Sequence, residues 1–413
     1  MPTEPAGPHP PTDDIGRALV VVAVCTVAIG LGASIGFLWG FVANLLRADL
    51  GLSRGQVGLL ISVYFGATGV ASIAGGVFTD RFGARAAVVT DLVVVTLAAT
   101  VVVLVPVYPV LLAASVVAGA AYSLGNAGTN VAIAAAVPLR LRATALTVKT
   151  AGVPAMAVIG ALLAPAFAAR SSWLVVYRTI AVMAAIAVVA AAAVLPDDRP
   201  GARRPITSDR QLPPGFLYFP IGAFLLIGGS QPLYSWIVPF LEDALELTPA
   251  VAGRATAFAS AVGVVVMVAF ARRSDRLGVH MRVRMVVIST LATAVGVALV
   301  AVGPAVGTGL TVAGATLGTA AELAAVGVLH AAVVDAAPRA VGRASGITMT
   351  GYYLGALVAP AGFGWLVDRS DGSYPPAWWV TAAMLLVGAA AFERAGRLTA
   401  AQTAAGARDD DPT

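Results

Sequence analysis

Residues 75–85 read Gly75-Gly76-Val77-Phe78-Thr79-Asp80-Arg81-Phe82-Gly83-Ala84-Arg85, and residues 271–278, Ala271-Arg272-Arg273-Ser274-Asp275-Arg276-Leu277-Gly278, repeat their core at an offset of 195 positions. Each is a short charged turn between two long apolar runs. Glycine near the end of such a run lets a neighbouring helix approach closely. Gly83 permits a tight bend, and Asp80 can accept hydrogen bonds from arginine or from a helix N-terminus. The same offset lays Leu52-Ser53 and Gly58 on Leu247-Thr248 and Gly253. It then drifts to 200, bringing Pro138 onto Pro338, with Arg142-Ala143-Thr144 one position further at Arg343-Ala344-Ser345. A nearly constant offset through these features marks an internal duplication.

Around these turns the composition is that of a bilayer protein. Of 413 residues, 59% are hydrophobic and 11% charged, with mean hydropathy +0.88; a soluble domain carries roughly 25% charged residues. Disorder, a nucleic-acid binder and an ordinary soluble enzyme are excluded. Apolar runs occur near 18–46, 56–78, 86–105, 109–137, 143–168, 173–195, 215–241, 250–271, 283–303, 308–336, 343–367 and 376–394. Each approaches the roughly 20 residues that cross a membrane. The first run exceeds the roughly 7–15-residue core of a signal peptide and is expected to stay as a helix. The predicted fold is all-α and integral to the membrane, with 12 transmembrane helices in two pseudo-symmetric six-helix bundles. The expected domains are a tail (1–15), an N-terminal bundle (16–195), a linker (196–214), a C-terminal bundle (215–397) and a second tail (398–413). The linker carries Asp197, Asp198, Arg199, Arg203, Arg204, Asp209 and Arg210.

Arginine placement orients the chain. With the N-terminus inside, the inner segments hold 19 arginines and the outer ones only six: Arg47, Arg54, Arg170, Arg178, Arg254 and Arg369. The excess predicts both termini on the cytoplasmic side of the cell membrane. Cys25 is the single cysteine and the three histidines are scattered, so no cofactor and no metal site is expected. The single lysine, Lys149, follows Val148, so the chain has no Gly-Lys-Ser/Thr phosphate loop for ATP.

The segment 75–85 resembles the G-x-x-x-D-R-x-G-x-R signature of the major facilitator superfamily, and the resemblance extends over nearly the whole chain. It implies alternating access, with Asp80, Arg81, Gly83 and Arg85 as gating residues and Asp275 and Arg276 as their second copy. In the second copy, Ala271 stands where the first has Gly76. Gly152-Val153-Pro154 with Gly160 only loosely resembles the antiporter pattern of that family, because the spacing differs. The resemblance also implies that spans one, four, seven and ten line a central cavity.

The polar residues agree with that lining. Tyr122, Asn126 and Asn130 share one face of span four at i, i+4, i+8 spacing. An offset of 200 lays Glu322 on Tyr122 and His330 on Asn130, and an offset of 195 lays Trp39 on Tyr234, beside Gln231. These residues, with Tyr352, are the substrate-binding candidates, and Glu322 and His330 the proton-coupling candidates. An ionised acid in mid-span costs roughly 2.5–3.5 kcal/mol even on lenient scales. Lys149 either snorkels to the headgroups or faces the cavity as a cation for an anionic group. Asp91 and Asp335 are expected to neutralise the arginine-rich turns. The function expected is secondary active transport of a small organic solute, coupled to protons and acting on an organic anion. The alternatives are a proton-coupled drug or metabolite efflux pump and an integral membrane enzyme. The latter lacks the clustered acids or nucleophile–base pair that chemistry at a membrane surface requires. The expected partners are a small-molecule solute, protons and membrane lipid, with no nucleic acid and a monomeric chain.

Overall fold

The computed structural model describes residues 12–138, 141–196, 212–337 and 340–409. The N-terminal tail 1–11, Arg140, Pro338, Arg339 and the linker residues Asp197, Asp198, Arg199, Arg203, Arg204, Asp209 and Arg210 lie outside the described residues.

Spans one to six are formed by α1 (Thr12–Phe41) with α2 (Ala43–Leu50), α3 (Arg54–Phe82), α4 (Ala84–Leu104), α5 (Tyr108–Ala136), α6 (Arg142–Thr150) with α7 (Gly152–Arg170), and α8 (Leu174–Val194). Spans seven to twelve are α9 (Tyr218–Ser230) with α10 (Pro232–Ser235) and α11 (Ile237–Leu245), then α12 (Pro249–Leu277), α13 (Val279–Val306), α14 (Thr308–Ala336), α15 (Val341–Arg369) and α16 (Pro375–Asp409). Ten helices among the described residues are long and apolar enough to cross a membrane, and the bent run from α9 to α11 makes an eleventh. The twelfth is α15, which has the length, 29 residues, and a most apolar stretch less apolar than those of the ten. It packs against α3 on one side and α9 on the other, so protein covers much of it.

Two of the helix breaks lie just before a proline. Pro154 lacks an N–H and its ring crowds the carbonyl of Thr150, the last residue of α6. Pro239 does the same to Ser235, the last residue of α10, and span seven bends there by 56°. The α16 helix runs past its apolar stretch into an alanine-rich tail, a sequence with high helix propensity.

The duplication is visible in the backbone. Gly83 and Gly278 end the second span of each half with φ 89° and 85°, a region that favours glycine, and each opens the following helix. The main contacts between halves are α3 with α15 and α7 with α12, two pairs that the repeat exchanges. Where α3 meets α15, a Cβ on Gly58 would lie 2.2 Å from the Pro360 carbonyl oxygen, so only glycine allows the backbones to close.

Candidate functional site

An even number of spans puts both termini at one end, and polar groups lie at three depths, the distal and middle ones on the seam between the halves. At the distal end, away from the termini, Asp243 on α11 is a hub. Its Oδ1 accepts from Asn44 Nδ2 at 2.8 Å, and its Oδ2 accepts from Arg54 Nη2 and the Tyr374 hydroxyl, each at 2.8 Å. Asn44 Nδ2 also donates to Glu242 Oε2 at 2.9 Å. The Asp368 carboxylate accepts from the backbone N–H of Gly55 at 2.9 Å and of Arg54 at 3.3 Å. A carboxylate of the second half therefore sits on the positive N-terminus of α3. Burial, reinforced by the Asp243 carboxylate, pushes the Tyr374 phenol above its ordinary range and keeps it a donor. Sequence reading did not mark this cluster. Its signal was there: Arg47 and Arg54 are two of the six distal arginines, and Glu242, Asp243 and Asp368 close spans seven and eleven.

At mid-depth, the Tyr234 hydroxyl donates to Glu322 Oε2 at 2.5 Å. Glu322 is buried. Among the described residues no cation pairs with Glu322. Tyr234 faces the other half, its ring 6.0 Å from Phe37, which in turn lies 5.7 Å from Phe65. Tyr352 lies within electrostatic reach of Glu322 and Tyr122, and 5.4 Å from Tyr353. Gln231, at the break between α9 and α10, is buried with its Nε2 lacking a hydrogen-bond partner. Trp39 is elsewhere: its Nε1 donates to Ser115 Oγ at 2.9 Å and its ring lies 4.5 Å from Tyr177, all inside the first half. The repeat equates it with Tyr234, yet the two side chains point to different places.

Toward the termini, Lys149 Nζ donates to Asn126 Oδ1 at 2.9 Å and Asn130 Oδ1 at 3.1 Å. Lys149 is only 3% exposed, so it does not snorkel to the surface. An ammonium has three donors; two are used here, and no described carboxylate pairs with it. The other group within electrostatic reach of the ammonium is Cys25 of α1, so Lys149 lies among α1, α5 and α6 of the first half. His330 is exposed and bonds the Val326 carbonyl of its own helix at 3.1 Å. Eight residues separate it from Glu322, about 12 Å along the axis, so the two do not meet.

The charged turns tie helix ends together within each half. Arg81 lies over the Phe82 ring at 5.2 Å, and Arg85 Nε donates to the Leu195 carbonyl at 2.7 Å. Arg282 bridges Asp335 at 2.7 Å and Asp275 at 3.5 Å. Asp335 thus neutralises its turn as expected. Asp91 does not: it is fully buried two turns into α4, away from the arginines, because the face it occupies turns into the bundle. A groove of about 720 Å³ between α12, α13 and α14 is lined mainly by apolar side chains such as Phe258, Val262 and Phe270 and holds none of the candidates.

Twelve spans in two exchanged halves, with paired charged turns and a polar seam, invite comparison with known families. The sequence model described as Major Facilitator Superfamily matches residues 22–321 and 221–408. The chain belongs to the major facilitator superfamily. Among solved structures, a D-xylose–proton symporter superposes with TM-score 0.73 at 15% identity, covering 92% of this chain and 97% of that one. A bacterial homologue of the human lysosomal transporter Spinster, inward-facing and unoccupied, superposes with TM-score 0.72 at 15% identity, covering 95% and 98%. No curated protein matches the chain in sequence. Membership of the superfamily makes the chain a multi-pass membrane transporter and not an enzyme.

Proposed function

We propose that this transporter is proton-coupled, moves a small organic solute across the cytoplasmic membrane by alternating access, and uses Glu322 as its coupling carboxylate. The observation that carries this reading is the Tyr234–Glu322 pair: a buried acid on the seam with a hydrogen-bond donor and no cation beside it among the described residues. A carboxyl in such a place can be neutral in one conformation and charged in another, which is what coupling needs. Lys149 supports an anionic group on the solute, since its buried ammonium retains one free donor beside Asn126 and Asn130. Tyr122, Tyr352, Tyr234 and Gln231 complete the contact surface. The arginine excess supports a cytoplasmic termini end; with the distal end closed by the Asp243 cluster, the conformation is then inward-facing.

Glu322→Gln keeps size and the bond from Tyr234 and cannot release a proton. In proteoliposomes the variant is expected to bind solute and to lose accumulation driven by an imposed pH gradient. Accumulation equal to wild type under the same gradient removes Glu322 from the coupling role.

A further inference from the structure

Asp91 plays no part in the seam just described, and its surroundings are unusual. It is 0% exposed, and neither carboxyl oxygen has a hydrogen-bond partner. Its niche exists because two neighbours lack side chains. A Cβ on Gly125 of α5 would lie 2.0 Å from Asp91 Oδ2, and one on Gly32 of α1 would lie 2.8 Å away. The helices packed on α4 are α1, α3, α5 and α8. Of their titratable groups, Tyr64 on α3 and Tyr122 on α5 come within electrostatic reach, and the Tyr64 hydroxyl donates away, to the Gly32 carbonyl at 2.7 Å. No cation from these helices adjoins the carboxyl. On α4 itself, Arg85 is two turns away on the Leu195 carbonyl. An ionised carboxylate without donors or a counter-charge is far costlier to bury than a neutral acid.

We infer that Asp91 is a second proton-binding site, held protonated while the distal end is closed and able to release its proton only when α1 moves off α4 and α5. The α1 helix is the wall that senses closure. Gly32 lies over the carboxyl, Phe37 touches Tyr234, and a Cβ on Gly40 would lie 2.5 Å from the Ser235 carbonyl oxygen of the other half. Displacing α1 admits water, which takes the proton and leaves the aspartate solvated. The site is independent of the role proposed for Glu322.

Infrared spectroscopy of the full chain in nanodiscs tests this. Among the described residues Asp91 is the one buried aspartate and Glu322 the one buried glutamate, so isotope-labelled aspartate separates them. At neutral pH the wild-type protein should show a protonated-carboxyl C=O band that moves with labelled aspartate, persists in Glu322→Gln and vanishes in Asp91→Asn. Conformational gating is read from Asp243→Asn, which breaks the distal cluster. When only the open state titrates, the midpoint at which the band disappears follows the logarithm of the closed-to-open ratio. A tenfold fall in that ratio should therefore lower the midpoint by about one pH unit. Absence of an aspartate-dependent band at neutral pH overturns the site. A band whose midpoint is the same in Asp243→Asn overturns the gating. The labelling measurement uses the wild-type chain, so it decides the first question even where Asp91→Asn does not fold.

Discussion

Asp243→Asn should open the distal end. The aspartate accepts two hydrogen bonds from the other half, from Asn44 and Arg54, each at 2.8 Å. A hydrogen bond to a charged group contributes about 1.5–3 kcal/mol. Asparagine keeps one acceptor oxygen and loses the charge, so one of the two bonds and the attraction to Arg54 are lost. The Arg54 and Asp243 side chains are 16% and 26% exposed, so solvent screens the pair only partly. Arg47, at 3.9 Å, adds little. A net loss of about 1.5–2 kcal/mol is reasonable after that discount. At about 1.4 kcal/mol per tenfold, the closed-to-open ratio should fall roughly 10- to 30-fold.

Cysteine labelling measures this directly, because the one native cysteine, Cys25, is 0% exposed. Ser235 is buried against α1 at the distal part of the seam, and His330 is exposed toward the termini. In Asp243→Asn, a water-soluble maleimide should label a cysteine at 235 faster and a cysteine at 330 more slowly than in the parent protein. Unchanged rates at both positions would refute the view that the Asp243 cluster holds the halves together.

Asp80→Asn nearly preserves volume and removes the charge, so expression and membrane insertion should persist while transport falls at least tenfold, from the loss of about 1.5–3 kcal/mol in a charge-assisted bond; normal transport at normal expression removes Asp80 from gating. Lys149→Ala should abolish binding of an anionic solute in a calorimetric titration, and Lys149→Arg should retain part of it, since guanidinium differs from ammonium in shape and hydration. Wild-type affinity in both variants excludes Lys149 from the binding surface. Reporter fusions after residues 82 and 280 should read cytoplasmic and those after 50 and 246 external; the reverse pattern inverts the proposed orientation.

The membrane spans were legible because the bilayer imposes one requirement, sustained apolarity, on every one of them. The α15 helix is the instructive exception. Its run at 343–367 was readable, and its packing between α3 and α9 was not, because no local pattern encodes which helices it meets. Lys149, Asn126 and Asn130 were each identifiable as polar groups at the wrong depth for lipid. Their convergence was not, since it depends on how the short α6 helix lies beside α5. Trp39 shows the limit of arguing from the repeat: the breaks at Gln231 and Trp236 turn Tyr234 onto the seam, while its counterpart stays in the first-half core. Asp91 was misread because its depth along α4 was counted without knowing which way the carboxyl faces. The Asp243 cluster was missed for a similar reason, as its members come from four separate segments.

The seam is symmetric in backbone and asymmetric in charge. The exchanged contacts, α3 with α15 and α7 with α12, give each half an equivalent surface to rock upon. Each half carries a charge the other lacks: the repeat sets Glu322 against Tyr122, and an offset of 200 sets Lys149 against Met349. Asp91 likewise falls on Val286 or Ser289–Leu291, within the corresponding stretch of α13, where no acid stands. With an acid in the second half and an ammonium in the first, the proposed proton and solute groups sit on different helices of different halves. Closing the distal end then acts on both proposed proton sites through α1, which touches Tyr234 by Phe37 and covers Asp91 by Gly32. That shared wall is the physical link by which protonation at the two sites can bias the same conformational equilibrium.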